Sequence, residues 1–305
     1  MQHYFQLRIR LLNRQFKDFG LPPAWGWFLS GVLFTGASWL LFSKTSYAPY
    51  LYSLFALAYL LQLSERKRTG FLKITFPRNS YRKIRLLENG IVALPFILFL
   101  LVKQNYAAAF TVLVLGLTVS FFDHSIAFNK TIPTPFGKKP FEFLVGFRTY
   151  ILLISGLYLL TGIAIAVHNF NLGLVTFAAF LLLQVTFCSQ PEKLFYLWND
   201  ARPPKVFLAE KIKTSALHSI CLSVLPLLAL LIANPQKWWL LLALQLLACF
   251  YNALLIFIKY STYPHEIDLV QFLTFIACIG FPPLLLGGIP FYYSRSVNNL
   301  SRYLS

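Results

Sequence analysis

The chain reads as an all-α, polytopic integral membrane protein with eight or nine transmembrane helices, arranged as two parallel four-helix units and a terminal segment. Three observations carry that reading. The 305 residues are 57% hydrophobic and 17% aromatic with only 12% charged, against roughly 25% charged in soluble proteins. Mean hydropathy is +0.63, and a soluble domain of this length cannot hide so much apolar surface while keeping a polar exterior. Finally, the apolar residues fall into runs that suit crossings of about 20 residues, and basic residues crowd into alternate connections.

The first element precedes the spans. YFQLRIRLLNRQF, residues 4–16, puts Phe5, Ile9, Leu12 and Phe16 on one stripe with Arg8, Arg14 and Gln15 away from it. That is the pattern of a helix lying in the interface, its basic face toward lipid headgroups. Met1–Gly20 is amphipathic and charged rather than a signal-peptide core, so no cleavable leader is expected.

Spans follow near 24–42, 46–62, 88–103, 106–122, 148–167, 170–188, 214–232, 236–258 and 268–292. The third and fourth are short. The ninth contains GFPPLLLGGIP at 280–290, so it is kinked, broken or re-entrant, with its freed backbone satisfied inside protein. PFGKKPFEFLVGFRTY, residues 135–150, reads as a second interfacial helix entering the fifth span, opened by Pro and Gly and rich in aromatics. A β-barrel is excluded because LLLALQLLACFYNALLIFI is a continuous apolar run rather than ten-residue alternation.

Residues 1–305 thus form one transmembrane domain, with 24–122 and 148–258 as four-helix units and 268–292 as the terminal segment. Of the 27 Lys and Arg, 22 fall in 1–23, 63–87, 123–148, 189–213 and 259–267, whereas the short opposite connections hold only Lys44, Lys103 and Lys237. This is a positive-inside pattern with a cytoplasmic N-terminus. It also accounts for the net charge of +17 without a nucleic-acid partner. Two inner loops share their wording: FLKITFPRNSYRKIRLLENG from 71 and FYLWNDARPPKVFLAEKIKT from 195. Phe71 and Phe195 are 124 residues apart, as are Arg78 and Arg202. Four spans per unit would make the two units parallel.

The chemistry is sparse. No GK[ST]-ended Gly-rich loop, HExxH, GxSxG or CxxC is present. Cys188, Cys221, Cys249 and Cys278 are widely spaced in apolar sequence, where small hydrophobic packing is the default. Mid-span polar groups are mostly amides and hydroxyls such as Gln184, Gln245 and Asn252, suited to interhelical hydrogen bonds; carriers coupled to ions usually place a charge there. No catalytic residue, metal site or cofactor is expected. Size and span count are similar to UbiA-like prenyltransferases, and WNDARPPK at 198–205 echoes their Asn-Asp and Arg-Pro elements. The resemblance implies paired aspartate-rich motifs, yet Asp18, Asp123, Asp200 and Asp268 are far apart in sequence, and magnesium needs clustered oxygen ligands.

The amphipathic lead-in, the loops LSERKRTGFLKITFPRNSYRKIR and LFYLWNDARPPKVFLAEKIKT, and a multispan body without an ATPase together resemble the permease subunits of ABC-2-like transporters. The likeness is to the divergent bacterial permeases of the EcsB type, although such permeases commonly have six spans. The resemblance implies a multi-pass subunit in the bacterial cytoplasmic (inner) membrane and a separate ABC ATPase docked on the inner loops. It also implies pairing with itself or a related permease, usually for export. Phe71, Phe76, Phe195, Tyr196 and Trp198 would be apolar anchors, and Arg78, Arg82, Asp200 and Arg202, with Glu192 and Glu210, would set electrostatic register. A non-catalytic membrane assembly protein is the rival reading, and a lipid-modifying intramembrane enzyme a third.

Overall fold

A computed structural model describes residues 2–44, 47–64, 66–121, 133–136, 141–189, 191–192, 194–200 and 202–304. Among them every regular element is helical. In order these are α1 (Gln2–Asp18), α2 (Pro23–Lys44), α3 (Ala48–Leu63), α4 (Arg66–Thr75), α5 (Arg78–Val102), α6 (Tyr106–Val119) and α7 (Phe141–Thr149). They continue with α8 (Ile151–Ala166), α9 (Phe170–Thr186), α10 (Leu194–Trp198), α11 (Pro204–Ala233), α12 (Trp238–Ser261), α13 (Leu269–Gly280) and α14 (Leu285–Leu300).

Four helices, α2, α5, α11 and α12 with its lead-in turn, are long and apolar enough to cross a membrane; counting the bent pair α7 and α8 as one span makes five. This is fewer than the eight or nine crossings read from hydropathy. The difference lies in α3, α6, α9 and α13, which have 16, 14, 17 and 12 residues, at or below the lower end of about 17–25 per crossing. The segment at 268–292 is broken: α13 stops at Gly280, Pro282–Leu284 form a 3₁₀ turn, and α14 follows. A capping box starts α13, with Asp268 accepting from the Gln271 amide while Gln271 accepts from the Asp268 amide. The interfacial lead-in is helical as α1, and the second interfacial segment is helical from Phe141, turned 73° from α8.

The chain divides into two compact units, residues 1–17 with 21–131, and 18–20 with 132–305. In the first unit α5 packs on α6, α3 lies against both, and α2 lies on α3. Lipid tails are as apolar as leucine, so close approach of small residues matters more here than hydrophobic burial. Ala56, Ala93 and Ala109 are buried there, and a Cβ on Gly116 would lie 3.4 Å from Ala93 Cβ. Tyr52 fills the adjoining space among Phe34, Phe42, Phe96 and Phe99.

In the second unit α8 packs on α9, α11 on α12, and α9 against both α11 and α12. At the centre is α12: every residue from Tyr251 to Ser261 is buried, Asn252 and Lys259 included. Pro226 inside α11 removes an amide and leaves the Leu222 carbonyl without its helical donor. The Tyr158 hydroxyl on α8 donates to that carbonyl at 2.5 Å, which lets the proline sit within an apolar helix.

Each unit has one end where its buried ionic groups gather, here called its basic end. At the other end of the first unit, Lys103 lies 3.7 Å over the Trp39 ring. In the second, Lys237 lies 4.1 Å over Phe170. Both are cation–π contacts suited to a membrane boundary.

Candidate functional site

At the basic end of the first unit, Pro77, with extended backbone, separates α4 from α5. Here α5 starts ten residues earlier than the apolar run at 88–103. RNSYRKIRLLEN is helical, and Arg85, Glu88 and Asn89, at i, i+3 and i+4 spacing, turn one polar face inward. Arg85 is completely buried. It donates to Leu63 O at 2.7 Å, Ser64 Oγ at 2.6 Å and Val119 O at 3.1 Å. These acceptors are the C-terminal ends of α3 and α6, where unsatisfied carbonyls and the helix dipole favour a cation. Asn89 Nδ2 donates to Ser120 Oγ at 2.8 Å. Glu88 pairs closely with Arg68 and accepts from the Tyr4 hydroxyl at 2.6 Å, which fastens α1 to α5. Burial, with Glu88 alongside, raises the Tyr4 pKa above its ordinary value.

In front of this buried face lies a cleft of about 420 Å³ lined by Lys73, Phe76, Arg78, Tyr81, Arg82 and Phe121. No carboxylate occurs among its described lining residues. Arg78 and Arg82 are exposed, and neither makes an ion pair among the described residues.

The second unit is arranged differently. Pro203 is extended and Pro204 opens α11, where its missing amide is harmless. Lys259, on α12, is 1% exposed and donates to Glu142 Oε1 on α7 at 2.7 Å. Lys211, on α11, reaches the Glu142 carboxylate at 3.2 and 3.3 Å and pairs closely with Glu192. Tyr260 donates to Glu192 Oε2 at 3.3 Å and Tyr263 to the Glu192 carbonyl at 2.9 Å. Two ammonium groups and two carboxylates thus form a closed, electrically balanced cluster.

A cleft of about 240 Å³ opens above the cluster, lined by Tyr196, Asp200, Arg202, Phe207, Glu210 and Lys211 among others. Arg202 grips Asp200 through two nitrogens, with Nε to Oδ1 at 2.7 Å, and also pairs with Glu210. The hydrogen bond from Arg202 to Asp200 raises the guanidinium pKa.

The residues expected from sequence fall into two places and an exposed remainder. Phe76, Arg78 and Arg82 share the first cleft, and Tyr196, Asp200 and Arg202 share the second. Phe71 on α4, and Phe195 and Trp198 on α10, are 64–66% exposed and line neither cleft. Sequence reasoning missed the inward-turned groups: buried Arg85, Glu88 and Asn89 in one unit, and half-buried Glu142 and Lys211 with buried Lys259 in the other. It assigned these charges to loops and boundaries. The structure puts Lys259 inside the fully buried stretch of α12. Among the described residues no group of three or more His, Cys, Asp or Glu could hold a metal. No protein-family model, curated protein or solved structure matches the chain.

Proposed function

We propose that the chain is a non-catalytic, membrane-spanning permease subunit of an ATP-driven transporter, energised by a separate ATPase that docks on the basic ends. The observation that carries this is the first cleft. Arg78 and Arg82 stand beside Phe76 in front of α5, and α5 is rooted in the same unit through Arg85 and Glu88. Aromatic and arginine side chains dominate interface energetics, and unpaired surface cations steer an acidic partner. Movement of a partner gripping this cleft would pass into α5 directly, because Arg78, Tyr81 and Arg82 belong to the first turns of that helix and Phe76 to the break before it. The second cleft is the lesser contact, since Asp200 and Glu210 already neutralise Arg202.

The finer architecture belongs to the same proposal: eight or nine crossings, two parallel four-helix units, a cytoplasmic basic end in an inner membrane, and a self-paired or related second permease. Supporting the parallel units, α3, α5 and α6 pair with one another as α9, α11 and α12 do. Arg85 and Lys211 each lie seven residues beyond the first residue of their helix. That register corresponds to an offset of 126 residues between the starts of α5 and α11, so Arg78 opens its helix whereas Arg202 stands two residues ahead of its own.

Replacing Phe71, Phe76 and Arg78 together with Ala tests the docking. Anchors at a true hot spot contribute on the order of 1–2 kcal/mol or more each, so the variant should insert normally yet lose a co-purifying ATPase. Wild-type protein isolated in mild detergent without any ATPase would refute the permease reading and favour the assembly protein.

A further inference from the structure

The connection from α12 to α13 departs from the charge pattern of the chain. There are 27 Lys and Arg against 10 Asp and Glu, yet no Lys or Arg occurs from Tyr260 to Ser294. Lys259, just before this stretch, is committed inside to Glu142. The connection itself carries two carboxylates: Glu266, which is exposed, and Asp268, which caps α13. Residues 18–20 belong to the same unit. The Phe19 carbonyl accepts from the Leu269 amide at 2.8 Å, and the Phe19 and Phe272 rings stand 5.9 Å apart.

Beside this connection lies a groove of about 790 Å³ whose two walls are helix faces. On α13, Phe272, Phe275, Ile276 and Ile279 follow i, i+3, i+4, i+7 spacing, and Leu182, Val185, Thr186 and Ser189 do the same on and just past α9. Such faces ordinarily pack against a neighbouring element. Here α9 and α13 each pack on α12, and the groove remains between them, with buried Leu255 of α12 among its lining. Leu182, Phe272 and Ile276 stay exposed along it. The mouth is polar, formed by Ser189 just beyond α9 and Glu266 just before α13. Glu266 is the only charged group among the described lining residues, and the C-terminal end of α9 adds partial negative charge beside it.

We propose that this groove is a phospholipid site, with one acyl chain between α9 and α13 and an ammonium headgroup at Glu266. Packed protein leaves few voids of this size, and an apolar gap exposed along its side in a bilayer is filled by the surrounding hydrocarbon chains. An apolar slot with one charged group at its mouth matches an amphiphile whose head bears the opposite charge. Clustered Lys and Arg favour anionic lipids, whereas the lone carboxylate at this mouth repels an anionic head and attracts an ammonium. The acyl chain completes the packing of α13, which has only 12 residues. The site is independent of the docking cleft, which belongs to the other unit.

The test is photo-crosslinking in vesicles of equal parts dioleoyl phosphatidylethanolamine and dioleoyl phosphatidylglycerol. Benzoylphenylalanine is placed at Phe272, in the groove, or at Leu273, which is exposed and does not line it, and the adducts are identified by mass spectrometry. At 272 the ethanolamine lipid should exceed the glycerol lipid about threefold or more, the scale of one exposed charge contact. At 273 the ratio should stay near unity or favour the glycerol lipid. Glu266→Gln should abolish the preference at 272 while lipid adducts still form. The same ratio at both positions, or a preference that survives Glu266→Gln, would overturn the proposal. A peptide adduct as the main product at 272 would overturn it too, by showing that a protein segment fills the groove. Should the variant at 272 fail to fold, the same comparison with Ile276 in its place decides on the same outcomes.

Discussion

Seven residues into α5 the first unit buries Arg85; seven residues into α11 the second half-buries Lys211 and sets fully buried Lys259 beside it. Arg85 spreads its donors over the carbonyl ends of α3 and α6, whereas the two lysines converge on Glu142. The contrast follows from side-chain chemistry. A guanidinium offers five donors in a planar fork and can serve several diverging carbonyls, while an ammonium is a compact, strongly hydrated charge that needs a carboxylate when buried. The consequence reaches the surface. The acids of the second unit neutralise its own cleft through Asp200 and Glu210. The first unit has Glu88 committed inside to Arg68 and Tyr4, and its cleft presents Arg78 and Arg82 without a described ion pair. An acidic partner therefore gains most at the first cleft.

The largest expected effect breaks the second arrangement. Glu142→Leu leaves Lys259 buried without its carboxylate, and removing one partner of a buried pair costs about 3–5 kcal/mol. Unfolding in detergent should shift to markedly lower denaturant, and adding Lys259→Met should recover a substantial part. If Glu142→Leu unfolds like wild type, the cluster does not hold α7 to α12.

Breaking the first arrangement should cost less. In Arg85→Lys the ammonium cannot reach Leu63 O, Ser64 Oγ and Val119 O together, so a carbonyl is left unsatisfied at about 1–3 kcal/mol. The same denaturation measurement should show a smaller shift than Glu142→Leu. Equal or larger loss would mean that the two burial modes are not different in kind.

The smallest effect concerns α5 and α11, both interrupted by proline, Pro95 in α5 and Pro226 in α11. Tyr158→Phe removes the donor to Leu222 O and should destabilise by about 1 kcal/mol. Its effect should shrink in a Pro226→Ala background, where a backbone amide is restored. Additive losses in the double variant would refute the pairing of that hydroxyl with the proline-freed carbonyl.

Much of the helical order was legible in the residues. Apolar runs located α2, α3, α6, α9 and α12 to within a few residues, and the Asp268–Gln271 spacing marks the start of α13. Hydropathy missed the first turns of α5 and α11, because Arg, Lys and Glu lower the average even when they turn inward. A signal was available: Arg85, Glu88 and Asn89 share one helical face, and Gln245, Asn252 and Lys259 recur every seven residues. The clefts were partly legible because Phe76, Arg78 and Arg82 are neighbours in the chain. The cluster was not, since Glu142 and Lys259 are 117 residues apart and nothing local in FEFL announces a partner on α12.

The central claim, that a separate ATPase docks chiefly on the first cleft, is tested most directly by charge reversal. Wild type, Arg78→Glu with Arg82→Glu, and Arg202→Glu would be purified from membranes in mild detergent, and the associated ATPase activity measured per mole of chain. Wild type should carry an ATPase. The double reversal should lose about tenfold or more of it, as expected when like charges face an acidic partner. Arg202→Glu, acting where charge is already balanced, should keep most. An undiminished ATPase on the Arg78/Arg82 variant, or a loss confined to Arg202→Glu, would contradict the account.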